Sequence, residues 1–368
     1  MGVKIEVKQI VEPTVGLSCH AWSPERKELA YCPNNNELCI IDFATQKEKH
    51  KLTEHDMLIS AMDWHPETNF LVTCSYDRNA FVWNYDEEEK TWKPSLVILR
   101  IERAALDVKW SPDGQKFAVG SSAKCVPVCY YEKDNNWWVS KMIKKHKSSV
   151  LSIDWHPNSQ ALATGSSDFK ARIFSAYISN IDSAQLDDAA YGTPVAFGEI
   201  YSEFTSSGWI HCVAFSPSGN TLTFIGHDSS IHFATFSGSQ QPIIQSIRYP
   251  YLPFLQVAFQ NESTVIAAGH DMNPCLFTMS ASSWQFQEFL DKKSTDKPNQ
   301  SEGGGSNDVK SRMAMWQNKD KTGQTQSSQS SDDSWRKHNA AITSLKSYKS
   351  PNSFSTTSPD GRLVIWNL

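Results

Sequence analysis

The amino-acid sequence predicts an all-β fold, in which seven four-stranded blades form a closed β-propeller. Three observations in the sequence predict it. An aromatic-x-Pro phrase returns at spacings of 42, 46, 45 and 60 residues, an aspartate follows the aromatic residue thirteen positions later in several copies, and short apolar β-prone segments lie between the two markers. A period of about 40–45 residues is that of one propeller blade.

The blades follow one another along the chain from the first aromatic marker to the last strand. Five starts are clear, and Phe259 begins a weaker copy. A seventh start is found by counting thirteen residues back from Asp360, which gives Ser347. Together the markers predict a WD-repeat propeller that occupies residues 1–368 as a single domain. The clear starts are Trp22, Trp64, Trp110, Trp155 and Phe215.

Each blade needs strands that are buried on both faces, and the sequence provides them. Residues 71–74 and 161–164 are short, apolar and β-prone, which is typical of inner strands. The last marked strand ends at Trp366, so a fourth strand is missing from that blade at the C-terminal end. Residues 3–11 alternate in polarity and precede the first blade. We therefore expect an N-terminal strand to complete the seventh blade and close the ring, which removes an open sheet edge.

An insertion separates the sixth and seventh blades. Residues 291–334 are rich in Ser, Lys, Asp, Gln and Gly, and this composition predicts a flexible and mostly disordered loop. Within it, a short amphipathic helix is predicted near residues 308–319, because Val309, Met313 and Trp316 fall on one helical face. The helix either folds back on the propeller or presents these three side chains to a partner, and their apolar character on a polar tether favours the partner.

A set of residues that resembles a hydrolase triad occurs twice, at the same phase of two blades. Each histidine lies 22 residues before its aspartate. Because catalysis needs one set in one cleft, recurrence favours a structural hydrogen-bond network that ends at the third-strand aromatic residue. The expected members are His55, Ser75, Asp77 and Trp83, and in the other blade His146, Ser166 and Asp168.

A basic run, which includes Lys144, Lys145 and Lys147, spans the junction of the third and fourth blades. It is either a solvated loop or a contact for an acidic partner segment. The net charge of −5 argues against nucleic-acid binding. No metal-binding spacing or phosphate loop occurs in the sequence, and no apolar run reaches the roughly 18 residues of a membrane span. Cysteines without CxxC spacing favour a cytoplasmic protein. We expect a binding protein without catalytic residues, metals or cofactors.

The sequence resembles one WD-repeat family well beyond the generic markers, namely the propeller subunit, about forty kilodaltons in mass, of the actin-related protein two/three complex. The resemblance covers nearly the whole chain and is weakest in the insertion. The phrases that carry it are residues 32–37, 77–83, 92–100, 103–105, 116–121, 136–139, 150–158, 168–177 and 267–271.

The resemblance implies a non-catalytic scaffold that supports nucleation of branched actin filaments and docks the complex on the mother filament. Its implied partners are the actin-related subunits, the small helical subunits, the actin filament and a nucleation-promoting activator, all at the actin cytoskeleton. In the family the inserted helix projects toward actin, which would give that role to Val309, Met313 and Trp316. The alternative is a WD-repeat adaptor of another assembly, such as an RNA-processing or ubiquitin-ligase scaffold.

Overall fold

A computed structural model of the chain describes residues 4–11, 14–183, 195–238, 241–293 and 335–368. These residues form 28 β-strands, and no helix occurs among them. The strands belong to seven sheets of four, which confirms the predicted propeller. The propeller unit comprises Met1–Leu290 and Lys337–Leu368, and Asp291–Arg336 form a separate unit.

All strand pairs within a blade are antiparallel, and sequence order is spatial order in the first six blades. Blade 1 consists of β2 (Cys19–Trp22), β3 (Glu28–Cys32), β4 (Leu38–Asp42) and β5 (Lys47–Leu52). Blade 2 consists of β6 (Ile59–Trp64), β7 (Leu71–Ser75), β8 (Asn79–Asp86) and β9 (Thr91–Ile98). Blade 3 consists of β10 (Ala105–Trp110), β11 (Lys116–Ser121), β12 (Val126–Glu132) and β13 (Trp137–Ile143).

The remaining blades repeat this plan. Blade 4 consists of β14 (Val150–Trp155), β15 (Ala161–Ser166), β16 (Lys170–Ser175) and β17 (Ile200–Thr205), and blade 5 of β18 (Ile210–Phe215), β19 (Thr221–Gly226), β20 (Ser230–Thr235) and β21 (Ile243–Arg248). Blade 6 consists of β22 (Phe254–Asn261), β23 (Thr264–Gly269), β24 (Cys275–Ser280) and β25 (Ser283–Phe289). Blade 7 consists of β26 (Ser344–Ser347), β27 (Ser353–Thr357), β28 (Arg362–Asn367) and the N-terminal strand β1 (Lys4–Gln9).

The first strand of each blade faces the centre of the ring. These strands contact one another in the order β2, β6, β10, β14, β18, β22, β26 and back to β2, so the circle is closed. The second strands are buried along their length, as predicted for residues 71–74 and 161–164. The fourth strands form the exposed outer rim of the propeller.

The N-terminal strand completes blade 7, as the sequence predicts. β1 pairs with β28 in antiparallel register from Lys4, opposite Asn367, to Gln9, opposite Arg362. Beyond the strand, the backbone N–H of Ile10 donates to the carbonyl of Gly361 at 2.9 Å. One blade is therefore made from both ends of the chain.

In the described part of the chain, seven apolar clusters stabilise the ring, one at each seam between neighbouring blades. The cluster of blades 2 and 3, for example, joins Val72 and Val97 to Val108 and Phe117, all fully buried. The closing seam between blades 7 and 1 has its own cluster, which includes Trp22 and Leu363. Because each blade buries both faces against its neighbours, stability depends on a complete ring.

A buried ion pair fixes the start of the long connection between β16 and β17, where the spacing of 60 residues predicts an insertion at residues 179–193. Lys116 is fully buried, and its Nζ lies 2.7 Å from Oδ2 of Asp182. The same carboxylate accepts the backbone N–H of Ile178 at 2.6 Å. These contacts attach the beginning of the insertion to blade 3.

Candidate functional site

The hydrogen-bond network predicted in blade 2 connects His55 to both Asp77 and Trp83. Nδ1 of His55 lies 2.7 Å from Oδ2 of Asp77, and Nε2 lies 2.8 Å from the hydroxyl of Thr73. The indole N–H of Trp83 donates to that hydroxyl at 2.9 Å. Burial alone would raise the pKa of Asp77, but hydrogen bonds from His55 and from backbone amides bring it below its ordinary value. The network therefore favours an ionised aspartate.

The hydroxyl that connects His55 to Trp83 belongs to Thr73, which the predicted set of residues did not include, whereas Ser75 takes part at the turn. Ser75 donates to the carbonyl of Met57 at 2.9 Å and accepts the backbone N–H of Asp77 at 3.1 Å. It therefore holds the turn, and its hydrogen bonds within the described residues go to Met57 and Asp77 and not to His55 or Trp83. Residues two apart in a strand point to the same face, so spacing alone does not distinguish the two hydroxyls.

Blade 7 contains a second copy of this network that the sequence analysis missed. His338 lies 3.2 Å from Oδ2 of Asp360 through Nδ1 and 2.8 Å from the hydroxyl of Thr356 through Nε2. Trp366 donates to the same hydroxyl at 2.8 Å. The signal was present in the sequence, because His338 lies 22 residues before Asp360, the spacing that relates His55 to Asp77.

Blade 4 departs from this arrangement, although its histidine and aspartate have the same spacing. Arg172 lies between them and donates to Asp168 at 2.9 Å and to Nδ1 of His146 at 3.1 Å. The third-strand aromatic residue is Phe174, whose side chain has no N–H to donate. Burial and the charge of Arg172 lower the pKa of His146 to about 4. Ser166 again holds the turn, since it donates to the carbonyl of Ser149 at 2.9 Å.

A further polar network, which the sequence did not predict, lies at the closing seam. His20 of blade 1 is fully buried between blade 7 hydroxyls, with Nε2 2.8 Å from Ser355 and Nδ1 2.9 Å from Ser344. Trp22 donates to Ser355 at 2.8 Å. Burial lowers the pKa of His20 to about 3. The neutral imidazole therefore connects the first blade to the last.

The central channel is a cavity of about 530 Å³, lined by residues of the inner strands. Its two lysines each have an acidic partner: Lys109 lies 2.8 Å from Asp154, and Lys346 lies 3.6 Å from Asp63. The aspartates also accept backbone N–H groups of the next blade, as Asp63 does from Trp110 at 2.9 Å. Within the described residues, no group of three or more His, Cys, Asp or Glu side chains is placed to hold a metal ion.

The predicted basic run lies beside a cavity of about 490 Å³ on blade 3, which is lined by the connections that enter and leave this blade and by the turn between β11 and β12. Exposed Lys144 lines this cavity, and Lys145 pairs with Glu199 at 3.2 Å. The backbone N–H of Lys147 donates to Asp168 at 2.9 Å. The cavity combines four cationic side chains with a single carboxylate, which gives it a positive potential. These charged residues are Arg100, Arg103, Lys124 and Lys144, with Glu102.

Val309, Met313 and Trp316 lie outside the described residues, so their predicted helix and its partner stay predictions. No helix in the described part of the chain is long and apolar enough to cross a membrane.

Comparison with known families agrees with the strand pattern. The WD domain, G-beta repeat, matches residues 46–84, 137–175 and 198–233. Each match begins at or just before an outer strand and ends in the third strand of the next blade. One sequence repeat therefore contains the fourth strand of one blade and the first three strands of the next. The same offset is seen at ring closure, where the N-terminal strand is the fourth strand of blade 7.

Curated proteins resemble this chain over almost its entire length. It is 41% identical to actin-related protein 2/3 complex subunit 1A-A of Xenopus laevis, over 98% of this chain and 95% of the relative. It is 40% identical to subunit 1A of that complex from Arabidopsis thaliana, over 96% of this chain and 94% of the relative. It is 37% identical to actin-related protein 2/3 complex subunit 1 of Schizosaccharomyces pombe, over 95% of this chain and 96% of the relative.

Proposed function

The chain belongs to the family of actin-related protein 2/3 complex subunit 1, and from this premise we propose that it is a non-catalytic scaffold in nucleation of branched actin filaments. In this role it holds the actin-related subunits and the small helical subunits, and it helps to dock the complex on the side of the mother filament. The observation that carries the proposal is similarity over nearly the whole length to proteins of that one complex.

The architecture supports a scaffold. Within the described residues, histidine–aspartate pairs that resemble parts of a triad occur in three separate blades. In two of these blades the histidine bonds to a threonine hydroxyl that also accepts a tryptophan N–H. Repetition of one arrangement in different blades is expected of a framework and not of a single reaction centre. The rigid ring leaves its loops and outer strands for contacts with partners.

Complex membership is tested first by co-purification of the tagged full chain from cell extract, followed by mass spectrometry. The proposal expects the two actin-related proteins and the small subunits in stoichiometric amounts. Recovery of splicing or ubiquitin-ligase components in their place would support the adaptor alternative and refute the proposal.

We assign the filament contact to the inserted segment. Val309, Met313 and Trp316 would form one apolar face on a polar tether, and a large aromatic side chain in a pocket contributes about 2 kcal/mol or more to binding. Met313→Asp combined with Trp316→Asp should therefore lower branch formation by the reconstituted complex without changing assembly. Ser311→Asp with Asn318→Asp adds the same charge on the opposite helical face and serves as the control.

Melting of the isolated chain distinguishes the two roles of this segment. If the Met313 and Trp316 double variant melts several degrees lower than the control, the helix packs on its own propeller. If branching and melting both stay at the level of the unmodified protein, the segment is neither core nor contact, and the assignment fails.

The basic cavity on blade 3 is our candidate contact for an acidic segment of an activator. Its cationic residues exceed its carboxylates, and Lys144 is exposed at its edge. Lys144→Glu should weaken binding of an acidic activator peptide about tenfold, roughly the effect of 1.4 kcal/mol. Lys141→Glu, on the outer strand β13, is the matched control, and equal affinities for the two variants would refute this contact.

A further inference from the structure

Among the residues that the structure describes, β21 is the outermost strand of blade 5, and one of its edges pairs with no other strand. It pairs with β20 on one side, and it ends the sheet on the other. An edge of this kind presents backbone N–H and C=O groups that can pair with another chain, and proteins normally protect such edges with charge, proline or bulges.

The other six outer strands of the described residues carry at least one of these protections. Every one of them contains a charged side chain away from its last residue. In addition, β5, β17 and β25 shift register against their neighbours, and β9 contains Pro94. The charged residues are Lys4, Glu6 and Lys8 in β1; Lys47, Glu48, Lys49 and Lys51 in β5; Lys93 in β9; Lys141 in β13; Glu203 in β17; and Glu288 in β25.

β21 lacks all three protections along its first five residues. Ile243–Ile247 contain no charged residue and no proline, and the strand pairs with β20 without a shift of register. Arg248 at its end is its single charge. Ile243 is 70% exposed and Ile244 is 51% exposed. Because adjacent strand residues point to opposite faces, apolar surface is exposed on both sides of this edge.

We propose that β21 binds an uncharged, extended segment of a partner subunit, which adds to blade 5 as a fifth strand. A strand is the occupant that fits, because it pairs with the edge and has side chains on both faces, whereas a helix would cover only one. The absence of charge along the edge matches an apolar, uncharged segment. The proposal rests on membership of the complex proposed above.

The apolar surface continues beyond the end of the strand. Tyr251 and Leu252, in the connection to blade 6, are 56% and 55% exposed. Tyr251 also packs against Phe289 of blade 6, with ring centroids 5.6 Å apart. A partner segment that leaves β21 at Arg248 would therefore meet further apolar side chains.

Hydrogen–deuterium exchange of the free chain and of the reconstituted complex tests the proposal. We expect amides of Ile243–Ile247 that do not bond to β20 to exchange at least about tenfold more slowly in the complex. Equal exchange in the two states would overturn the proposal. Slow exchange in the free monomer would assign the edge to a segment of this chain, and concentration-dependent protection would assign it to a second copy.

A charge substitution with a matched control completes the test. Ile244→Lys introduces the missing protection, whereas Ile98→Lys places a lysine at a residue 50% exposed on β9, which already has Lys93 and Pro94. We expect Ile244→Lys to weaken retention in the complex about tenfold and Ile98→Lys to leave it unchanged. Weakened retention without amide protection would indicate helix docking. If the unmodified chain fails to co-assemble, the proposed function itself fails; if it assembles with an unprotected β21, only this inference fails.

Discussion

Replacement of Thr73 by valine tests whether the repeated network is structural. The Thr73 hydroxyl lies between Nε2 of His55 and the indole N–H of Trp83, at 2.8 and 2.9 Å. Since Nδ1 of His55 faces the Asp77 carboxylate, Nδ1 carries the hydrogen and Nε2 accepts from Thr73. Valine keeps a similar shape but leaves one donor and one acceptor buried without partners.

The expected magnitude follows from those two groups. Each buried polar group left without a partner costs about 1–3 kcal/mol, so the two groups together should lower the free energy of unfolding of Thr73→Val by about 2–6 kcal/mol. Thr164 occupies the same position in blade 4 and is equally buried, but its hydroxyl makes only a long contact, 3.4 Å, to the carbonyl of Arg172. Thr164→Val should cost below about 1 kcal/mol.

Urea unfolding of both variants, followed by tryptophan fluorescence, measures the difference. Thr356→Val in blade 7 should behave like Thr73→Val, because the Thr356 hydroxyl also lies between a histidine and a tryptophan, His338 and Trp366, both at 2.8 Å. If Thr73→Val and Thr164→Val are equally stable within about 0.5 kcal/mol, the network contributes nothing beyond its packing, and the reasoning fails.

Two further predictions concern ring closure. Deletion of residues 1–11 exposes the edge of β28, so the truncated chain should melt at a lower temperature and aggregate in light scattering; a stable monomer would contradict this. The pKa of His20 in the folded protein is about 3, below the unfolded value of about 6.5. The stability that neutral His20 contributes to the folded protein is therefore complete above pH 6.5 and is lost as the pH falls from 6.5 toward 3. The free energy of unfolding should fall by about 1.4 kcal/mol from this residue between pH 7.5 and 5.5, and His20→Asn should remove that part of the pH dependence.

The sequence predicts the blades well because their markers are local. Trp22, Trp64 and Trp110 each end the first strand of a blade, and even the degenerate start at Ser347 ends β26. A strand of four to six residues followed by a tight turn leaves few alternatives for the chain. The closing strand could also be predicted, because alternation at residues 3–11 had no other sheet to complete.

The parts that escaped prediction depend on distance between elements. Thr73 and Ser75 share a strand face, and only the position of His55 decides which hydroxyl it meets. His20 finds its partners in Ser344 and Ser355, more than three hundred residues away in sequence. In blade 4, hydrogen bonds from Arg172 to His146 and Asp168 take the place of the threonine and tryptophan contacts, and the sequence spacing alone does not reveal this.

Pairing of β1 with β28 also sets the order of events during synthesis. Lys4 lies opposite Asn367, a separation in sequence of 363 residues, so the N-terminal strand has no partner until the last blade has left the ribosome. Up to that moment six blades can stack while the seam between the first and seventh stays open. Closure of the ring is thus a late step that joins residues far apart in sequence, and such long-range pairing is slow. Until then the unpaired N-terminal strand is accessible to chaperones.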